Sequence, residues 1–477
     1  MKKTILTFTL IASVIGQLQA FCGFYVAKAG AELFNNKSEV IIVRDGHRSI
    51  VTMSSDFNGN VKDFAMVIPV PNVLQREDIR IVERSLFQKL DAYSSPRLAE
   101  YYDNNPCNPP IPKYYLRSTM VADEVMESSV DMLEEDADLG VTIEAQYDVD
   151  EYQIMILSAK ESGGLKIWLI ANGYDIPEKA DDVLDPYIKS GLKFFVVKVN
   201  LNKYDPASNG GYLRPIQISM ETEKFMLPIR LGMANSVGDQ DMIVYALTKK
   251  GRIETTNYRT VKIPTNKNVP TFIKQKFSKF YKSVFDRSHK MQGENAVFLE
   301  YAWNVSPSWA GVKCDPCVGN PPYMDELTQA GVDWLNQGEG VFFTRLHVRY
   351  GLSKFPQDLF FQVTPNKEHF QARYVVHNPA TGDLQCTEGF KYMKKLRQRR
   401  SKELMEMEAL SGWDATDHTA YIYIGMDVKT NDDEGKAIPV ISGDLPKNPK
   451  PLLMMSTMLF MVFAVLRIRK IYNLSNI

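Results

Sequence analysis

The sequence predicts an α+β fold with predominantly antiparallel β-sheets and interspersed helices, set between an N-terminal signal peptide and a single C-terminal transmembrane helix. Three observations lead there. Short runs rich in β-branched and aromatic residues recur along the 477 residues, separated by Gly, Asn, Asp and Pro. A few stretches between them carry apolar residues at helical spacing. Both ends of the chain are apolar, whereas the body between them has an ordinary globular composition, 44% hydrophobic and 24% charged.

At the start, Lys2 and Lys3 precede an apolar run from Ile5 to Ile15, and the small residue Ala20 follows. That order reads as a secretory signal peptide over residues 1–20. Bulky Phe21 before Cys22 does not fit a lipoprotein signal, so Cys22 is expected to remain a protein thiol or a disulfide partner. At the end, Leu452 to Leu466 is apolar apart from Ser456 and Thr457, and Arg467, Arg469 and Lys470 follow. This run is expected to be a membrane anchor over residues 451–470, its basic flank in the cytoplasm. Its reach of about 22 Å falls short of a hydrocarbon core of about 30 Å, and snorkelling by Lys450 and Arg467 extends it. The length also suits a buried or surface-lying helix. The expected location of the body is therefore the periplasm or another extracytoplasmic face, with the membrane as its first partner.

The body is read as an N-terminal β-meander region over residues 21–120, an acidic linker over 121–139, an α+β domain over 140–265, a second α+β domain over 266–426 and a stem over 427–450. In the first region, Glu39 to Val43 and Ser49 to Met53 are strands joined through Asp45-Gly46, a hairpin signal. Asp63 to Pro71 is a third strand, and Ser85 to Tyr93 a helix. A Pro/Asn-rich loop from Asn104 to Pro112 carries Cys107. Val121 to Asp138 is acidic and lacks the alternation of a calcium loop, so it reads as a solvated linker.

Tyr152 to Leu157 is a strand. Leu165, Trp168 and Leu169 share a helical face that ends at Asn172-Gly173, and a second helical stretch runs from Pro177 to Gly191. Leu192 to Val199 is a buried strand, and this strand–helix–helix–strand order permits a crossover unit. Further strands are expected at Leu213 to Met220, Lys224 to Leu231, Met242 to Thr248 and Ile253 to Ile263. Pro270 to Lys290 is a basic amphipathic helix with an apolar stripe of Ile273, Phe277, Phe280, Tyr281 and Val284. Its plainer role is a surface helix with that stripe in the core; lying on an anionic membrane or packing on a partner is the sharper one. Strands resume at Ala296 to Trp303, Val341 to Tyr350, Asp358 to Val363 and Phe370 to His377. A charged helix, Tyr392 to Leu410, and a last strand, Ala420 to Met426, precede the stem.

The sharpest chemical motif is Cys314-Asp315-Pro316-Cys317. Two thiols at that spacing form a redox pair, hold part of a zinc site, or close a small disulfide ring. A redox site wants the first thiol at a helix N-terminus, but Val318 to Pro322 is loop sequence. Zinc needs two more ligands, to be drawn from Cys22, Cys107, Cys386 or scattered histidines. A structural disulfide is the favoured reading. The chain holds five cysteines, so one is left free or paired between chains, and Cys22, Cys107 and Cys386 are the other candidate partners. Arg345, His347 and Arg349 share one strand face at period two, either a cationic anion-binding surface or, more plainly, the wet side of a sheet. There is no Gly-x-Ser-x-Gly elbow, P-loop or His-Glu-x-x-His, and nothing calls for a cofactor. Catalytic residues cannot be named. A net charge of −1 provides no field to attract nucleic acid.

Several strings resemble a bacterial family of exported proteins, domain of unknown function family 2330. They are Phe21-Cys22-Gly23-Phe24-Tyr25-Val26, Asp63-Phe64-Ala65 through Pro69-Val70-Pro71, Gly191-Leu192-Lys193-Phe194-Phe195-Val196 and Glu223-Lys224-Phe225-Met226-Leu227-Pro228-Ile229-Arg230. Lys313-Cys314-Asp315-Pro316-Cys317 and Thr344-Arg345-Leu346-His347-Val348-Arg349-Tyr350 are similar to the same family. The resemblance runs to about Cys386 and implies a bacterial envelope protein whose cysteines belong to the family pattern. It brings no activity, cofactor or catalytic residue. The expected function is a membrane-anchored, non-catalytic binding or structural module whose partner is another envelope protein or polymer. The alternative is an envelope hydrolase or a thiol-redox enzyme using Cys314 and Cys317.

Overall fold

The computed structural model describes residues 24–25, 38–54, 65–108, 140–172, 180–200, 202–204, 213–234 and 238–425. The expected signal peptide, Cys22, the acidic linker, the stem and the anchor lie outside these residues. Among the described residues, no helix is long and apolar enough to cross a membrane.

The fold is mixed α+β with mostly antiparallel sheets. The backbone of the large sheet runs Arg259–Lys262, Ala296–Asn304, Phe342–Tyr350, Gln240–Thr248, Ser38–Asp45, Arg48–Ser54, Ile216–Glu221 and Ile79–Ile81 in spatial order. The smaller sheet runs Phe24–Tyr25, Ala65–Val70, Lys193–Val199, Tyr152–Ala159 and Val141–Val149. Alternation along the strands gives each sheet two apolar faces. Val40, Ile42, Met242, Val244, Leu346 and Val348 of the large sheet meet Met66, Ile68, Ile154, Ile156, Phe195 and Val197 of the smaller one in a single core. The outer face of the small sheet, with Val67, Phe194 and Val196, is covered by the helices Ser162–Ala171 and Ala180–Lys189. The outer face of the large sheet, with Ile41, Val43, Tyr245 and Phe343, is covered by Leu86, Phe87, Leu90 and Tyr93 of the helix Ser85–Ser94. The result is four layers: helix, sheet, sheet, helix.

The Asp45-Gly46 hairpin forms as its sequence dictates. Asp45 pairs with Arg48, and Gly46 takes φ +55° in the two-residue loop, a conformation that favours glycine. The basic helix also matches expectation: Phe280 and Val284 are buried, against Tyr374 and Val376 on one side and Leu404 and Met407 on the other. Other expectations are corrected. The third strand, Ala65–Val70, does not extend a meander; it pairs with Lys193–Val199 in the other sheet, because Met66 and Ile68 fill the inter-sheet core and Val67 the opposite side. Tyr152–Ala159 and Lys193–Val199 are antiparallel neighbours, so the two helices between them make no parallel crossover. The last strand, expected over Ala420 to Met426, does not form among the described residues: Ala415–Tyr423 is a 3₁₀ turn, capped by Asp414 on the Thr416 N–H at 2.7 Å and pinned by the Tyr421 hydroxyl donating to Glu403 at 2.7 Å. The strands Arg97–Tyr102 and Val141–Val149 were not foreseen. Strands drawn from residues 38–81, 216–248 and 259–350 share the large sheet, so the three sequence regions interleave in one body.

Phe195 fills the space between the sheets with no exposure. Phe195→Ala is expected to cost about 3–5 kcal/mol of stability through the cavity it leaves. Ile167→Ala, on the exposed side of its helix, should stay within about 0.5 kcal/mol. Denaturant unfolding of the two variants checks both values.

Candidate functional site

Three places in this body bring chemically capable side chains together. The first lies on the face of Phe342–Tyr350 that carries Arg345, His347 and Arg349. The face is not wet. It is roofed by the helices Ser85–Ser94 and Phe277–Met291, and every cation on it meets a carboxylate. Arg345 bonds Glu300 at 2.6 Å and Asp91 at 2.7 Å. His347 sits between Glu300 at 2.9 Å and Asp241 at 3.1 Å, with the Phe285 ring stacked on it at 3.7 Å. Arg349 holds Asp241 in a fork, with Nε at 2.9 Å and the second nitrogen at 2.8 Å, and reaches Asp286 at 2.7 Å. The hydroxyl of Tyr281 donates to Glu300, and that of Tyr245 lies 2.7 Å from Glu39 and 2.9 Å from Asp91.

Glu300 reaches two cations at once because the strand bulges there. The pairing register shifts between Leu299 and Tyr301, which leaves Glu300 as the extra residue and aims its side chain at the helices. Burial pushes the Glu300 carboxyl up, but His347 and Arg345 outweigh it and hold the group down at about 2. Asp241 is held well below the usual carboxylate range: His347 and Arg349 overcome its burial. Burial opposes the charge on His347, yet Glu300 and Asp241 keep the imidazolium above its ordinary value. Glu300 is 1% exposed and Arg345 4%. These pairs clasp the central strand to the two helices over it.

The second place is the Cys314–Cys317 loop. The two sulfurs are bonded, with Cα atoms 5.0 Å apart. Cys314 is buried and Cys317 exposed. The body grips this loop by its backbone. The Lys313 carbonyl accepts from the Tyr93 and Tyr301 hydroxyls at 3.1 and 2.8 Å, and the Pro316 carbonyl accepts from Arg97 at 3.0 Å. Asp315 pairs with Arg373 at 2.7 Å. The next helix, Met324–Gln329, starts well past Cys317, so no helix dipole acts on either sulfur. Cys107 and Cys386 form a second disulfide, Cα atoms 5.9 Å apart. Cys386 also caps the helix Thr387–Ser411, its sulfur accepting from the Gly389 N–H at 3.3 Å. Among the described residues, no three His, Cys, Asp or Glu side chains are grouped to hold a metal ion.

The third place is a cleft of about 290 Å³ where the two sheets part. Val51, Met53, Ile218 and Met220 from the large sheet and Ile68 from the small one form its walls, with Met226 and Leu227 closing one side. Ser49, Ser190, Thr222, Glu223 and Lys224 provide the polar contacts at its border.

Sequence reasoning singled out the cations of the clasp but not Asp91, Asp241 or Glu300. One signal was there to read: Glu300 interrupts the apolar run Ala296 to Trp303, and a carboxylate inside a buried strand needs a cation beside it. The cleft had no such signal, because its lining comes from four separate stretches, 49–53, 68–71, 190–192 and 218–228.

Glu300→Gln leaves Arg345 and His347 short of their shared partner, and a loss of about 3–5 kcal/mol is expected. His347, raised in the folded state, stabilises fully below its unfolded pKa of about 6.5, and this contribution disappears as pH climbs through the higher folded value. Glu300 and Asp241, depressed in the folded state, stabilise above about pH 4 and lose that contribution as pH falls through their folded values. Melting temperature against pH should therefore decline on both sides of the mildly acidic range; His347→Gln should flatten the alkaline decline and also weaken the acidic one, because His347 helps to depress Glu300 and Asp241.

A family model described as an uncharacterized protein conserved in bacteria, DUF2330, matches residues 17–362. All the strings that carried the resemblance fall within it, and its end at 362 stops short of Cys386. No curated protein and no solved structure matches the chain. With both sheets, the clasp and the Cys314–Cys317 loop inside the matched span, the chain belongs to the bacterial family DUF2330.

Proposed function

We propose that this chain is an exported envelope protein, held at a membrane by its C-terminal apolar run, whose folded body binds another envelope component without transforming it. The observation that carries this reading is the cleft between the sheets. A preformed hollow with aliphatic walls and a few polar groups at its border is the usual form of a binding site, and the flexible thioethers of Met53, Met220 and Met226 adapt to an apolar guest. Lys224 and Glu223 at the border suit a ligand with a polar end.

Two further observations support it. Disulfides at Cys107–Cys386 and Cys314–Cys317 favour folding in an oxidising space. The strongest cluster of ionisable groups is consumed by its own pairing, which argues for a scaffold rather than for acid–base chemistry. The thiol-redox reading has less support, since the buried sulfur of its pair comes first and no helix activates it.

Met220 is half-buried in the cleft wall. In Met220→Trp the indole should fill the hollow. Titration with the aromatic anion 1-anilinonaphthalene-8-sulfonate is expected to bind the native chain at least about tenfold more tightly than the variant, a difference of about 1.4 kcal/mol, with unfolding midpoints unchanged. Equal binding by both chains would remove the cleft from the proposal. Cell fractionation tests the location: the chain should sediment with membranes and come free only with detergent, and full-length product in the cytosol would end the reading.

A further inference from the structure

The helix Phe277–Met291 spends its apolar side on the core, and what it turns outward is basic. Residues 274–290 carry Lys274, Lys276, Lys279, Lys282, Arg287 and Lys290 against the single carboxylate of Asp286, on a chain whose net charge is −1. Two of the cations are occupied: Lys274 pairs with Glu100 at 2.6 Å and Lys282 with Asp286 at 3.2 Å. The other four are all exposed; Lys290 lies close enough to Glu294 to help hold that carboxyl down, while Glu294 is itself paired with Lys354 at 3.1 Å. Lys276 and Lys279 instead lie over the rings of Phe272 and Trp413, each at 5.9 Å.

These four are not scattered. Lys279, Arg287 and Lys290 fall at i, i+8 and i+11 along one flank of the 3.6-residue helix, and Lys276 stands at its N-cap, at the end of the preceding 3₁₀ turn. The line they form is about 21 Å long at helical rise. Met291, 74% exposed, stands at its far end.

The described body ends beside this line. The Thr271 N–H donates to the Tyr421 hydroxyl at 3.2 Å, the Phe272 ring lies 4.7 Å from His418, and Arg400 holds the Ile424 carbonyl at 2.6 Å. Residues 418–424 therefore lie near Lys276, at the start of the cationic line. The apolar run begins at Leu452. The apolar run thus follows the last described residue, Gly425, by 27 residues.

We infer that Lys276, Lys279, Arg287 and Lys290 form a docking surface for the anionic phospholipid headgroups of the membrane that holds the tail. This deepens the proposed function and rests on its tether. The tether supplies proximity, and the cations supply orientation. A row of exposed cations that outnumbers the acids beside it is attracted to a negative surface, and salt screens the attraction. Docking lays the helix along the bilayer and fixes which way the body faces.

The test uses the full chain in lipid nanodiscs, either phosphatidylcholine alone or phosphatidylcholine with about 30% phosphatidylglycerol, the anionic component. Acetylation of each lysine by a water-soluble ester is followed by mass spectrometry. Lys276, Lys279 and Lys290 should react at least about fivefold more slowly in the anionic discs, and the difference should vanish near 0.5 M salt, where the screening length is only about 4 Å. Lys189, on a helix covering the other sheet, should react at one rate in both discs. In the variant K276E/K279E/R287E, Lys290 should lose its protection. Equal rates at the three lysines in the two discs would overturn the docking surface. So would the same protection from inorganic phosphate alone, which would mark a site for a soluble anion. Failure of the chain to enter either disc would overturn the tether instead, a result distinct from the other two.

Discussion

Three cations on one strand face have to be neutralised before two helices can close over the large sheet. This constraint orders the rest of the body. Arg345, His347 and Arg349 occupy alternate positions of the central strand, and carboxylates converge on them from four other elements: Asp91, Asp241, Asp286 and Glu300. A buried ion pair adds little net stability over an apolar packing of the same shape. Its alternatives are what it penalises. A slip of one residue in the register of Phe342–Tyr350 would turn all three cations into the inter-sheet core, where Val244, Ala246 and Ile154 offer them no partner. The clasp therefore selects one register and one docking of each covering helix.

Much of this body was legible in the sequence because local pattern and tertiary need agree there. The Asp45-Gly46 hairpin, the helix Ser85–Ser94 and the strand Phe342–Tyr350 follow from turn chemistry and periodicity alone. The failures share a cause. Ala65–Val70 reads as a strand, but nothing in it states which sheet it joins; that choice is made by Phe195 and Val197 on a strand more than a hundred residues later. Ala420 to Met426 has strand composition, yet its described part packs as a 3₁₀ turn on the helix Thr387–Ser411, with the Tyr421 hydroxyl donating to Glu403, a partner that local composition does not reveal. The charged face misled for the same reason. Alternating cations resemble a wet surface unless the acids that cover them, distant in sequence, are known.

The two disulfides do different work. Cys314–Cys317 closes a short loop that the body already holds by its carbonyls, so the bond trims the freedom of a surface feature. Cys107–Cys386 joins residues 279 apart, one inside the family match and one beyond it. It ties the start of the helix Thr387–Ser411 to the loop after Arg97–Tyr102, a strand that itself pairs with Arg373–Asn378. The stretch beyond residue 362 is thereby built into the body and not merely appended to it.

The order of strands in the large sheet differs from their order along the chain. The hairpin at residues 38–54 waits for Gln240–Thr248 on one side, and that strand waits for Phe342–Tyr350 on its other side. As the polypeptide emerges from its N-terminus, these strands have unsealed borders until roughly three quarters of it is available. Contacts this distant in sequence form slowly, and open strand borders attract other chains. A half-delivered molecule is consequently sticky and has no stable stopping point, so productive assembly depends on delivery of the later strands, or on something that shields the earlier ones meanwhile.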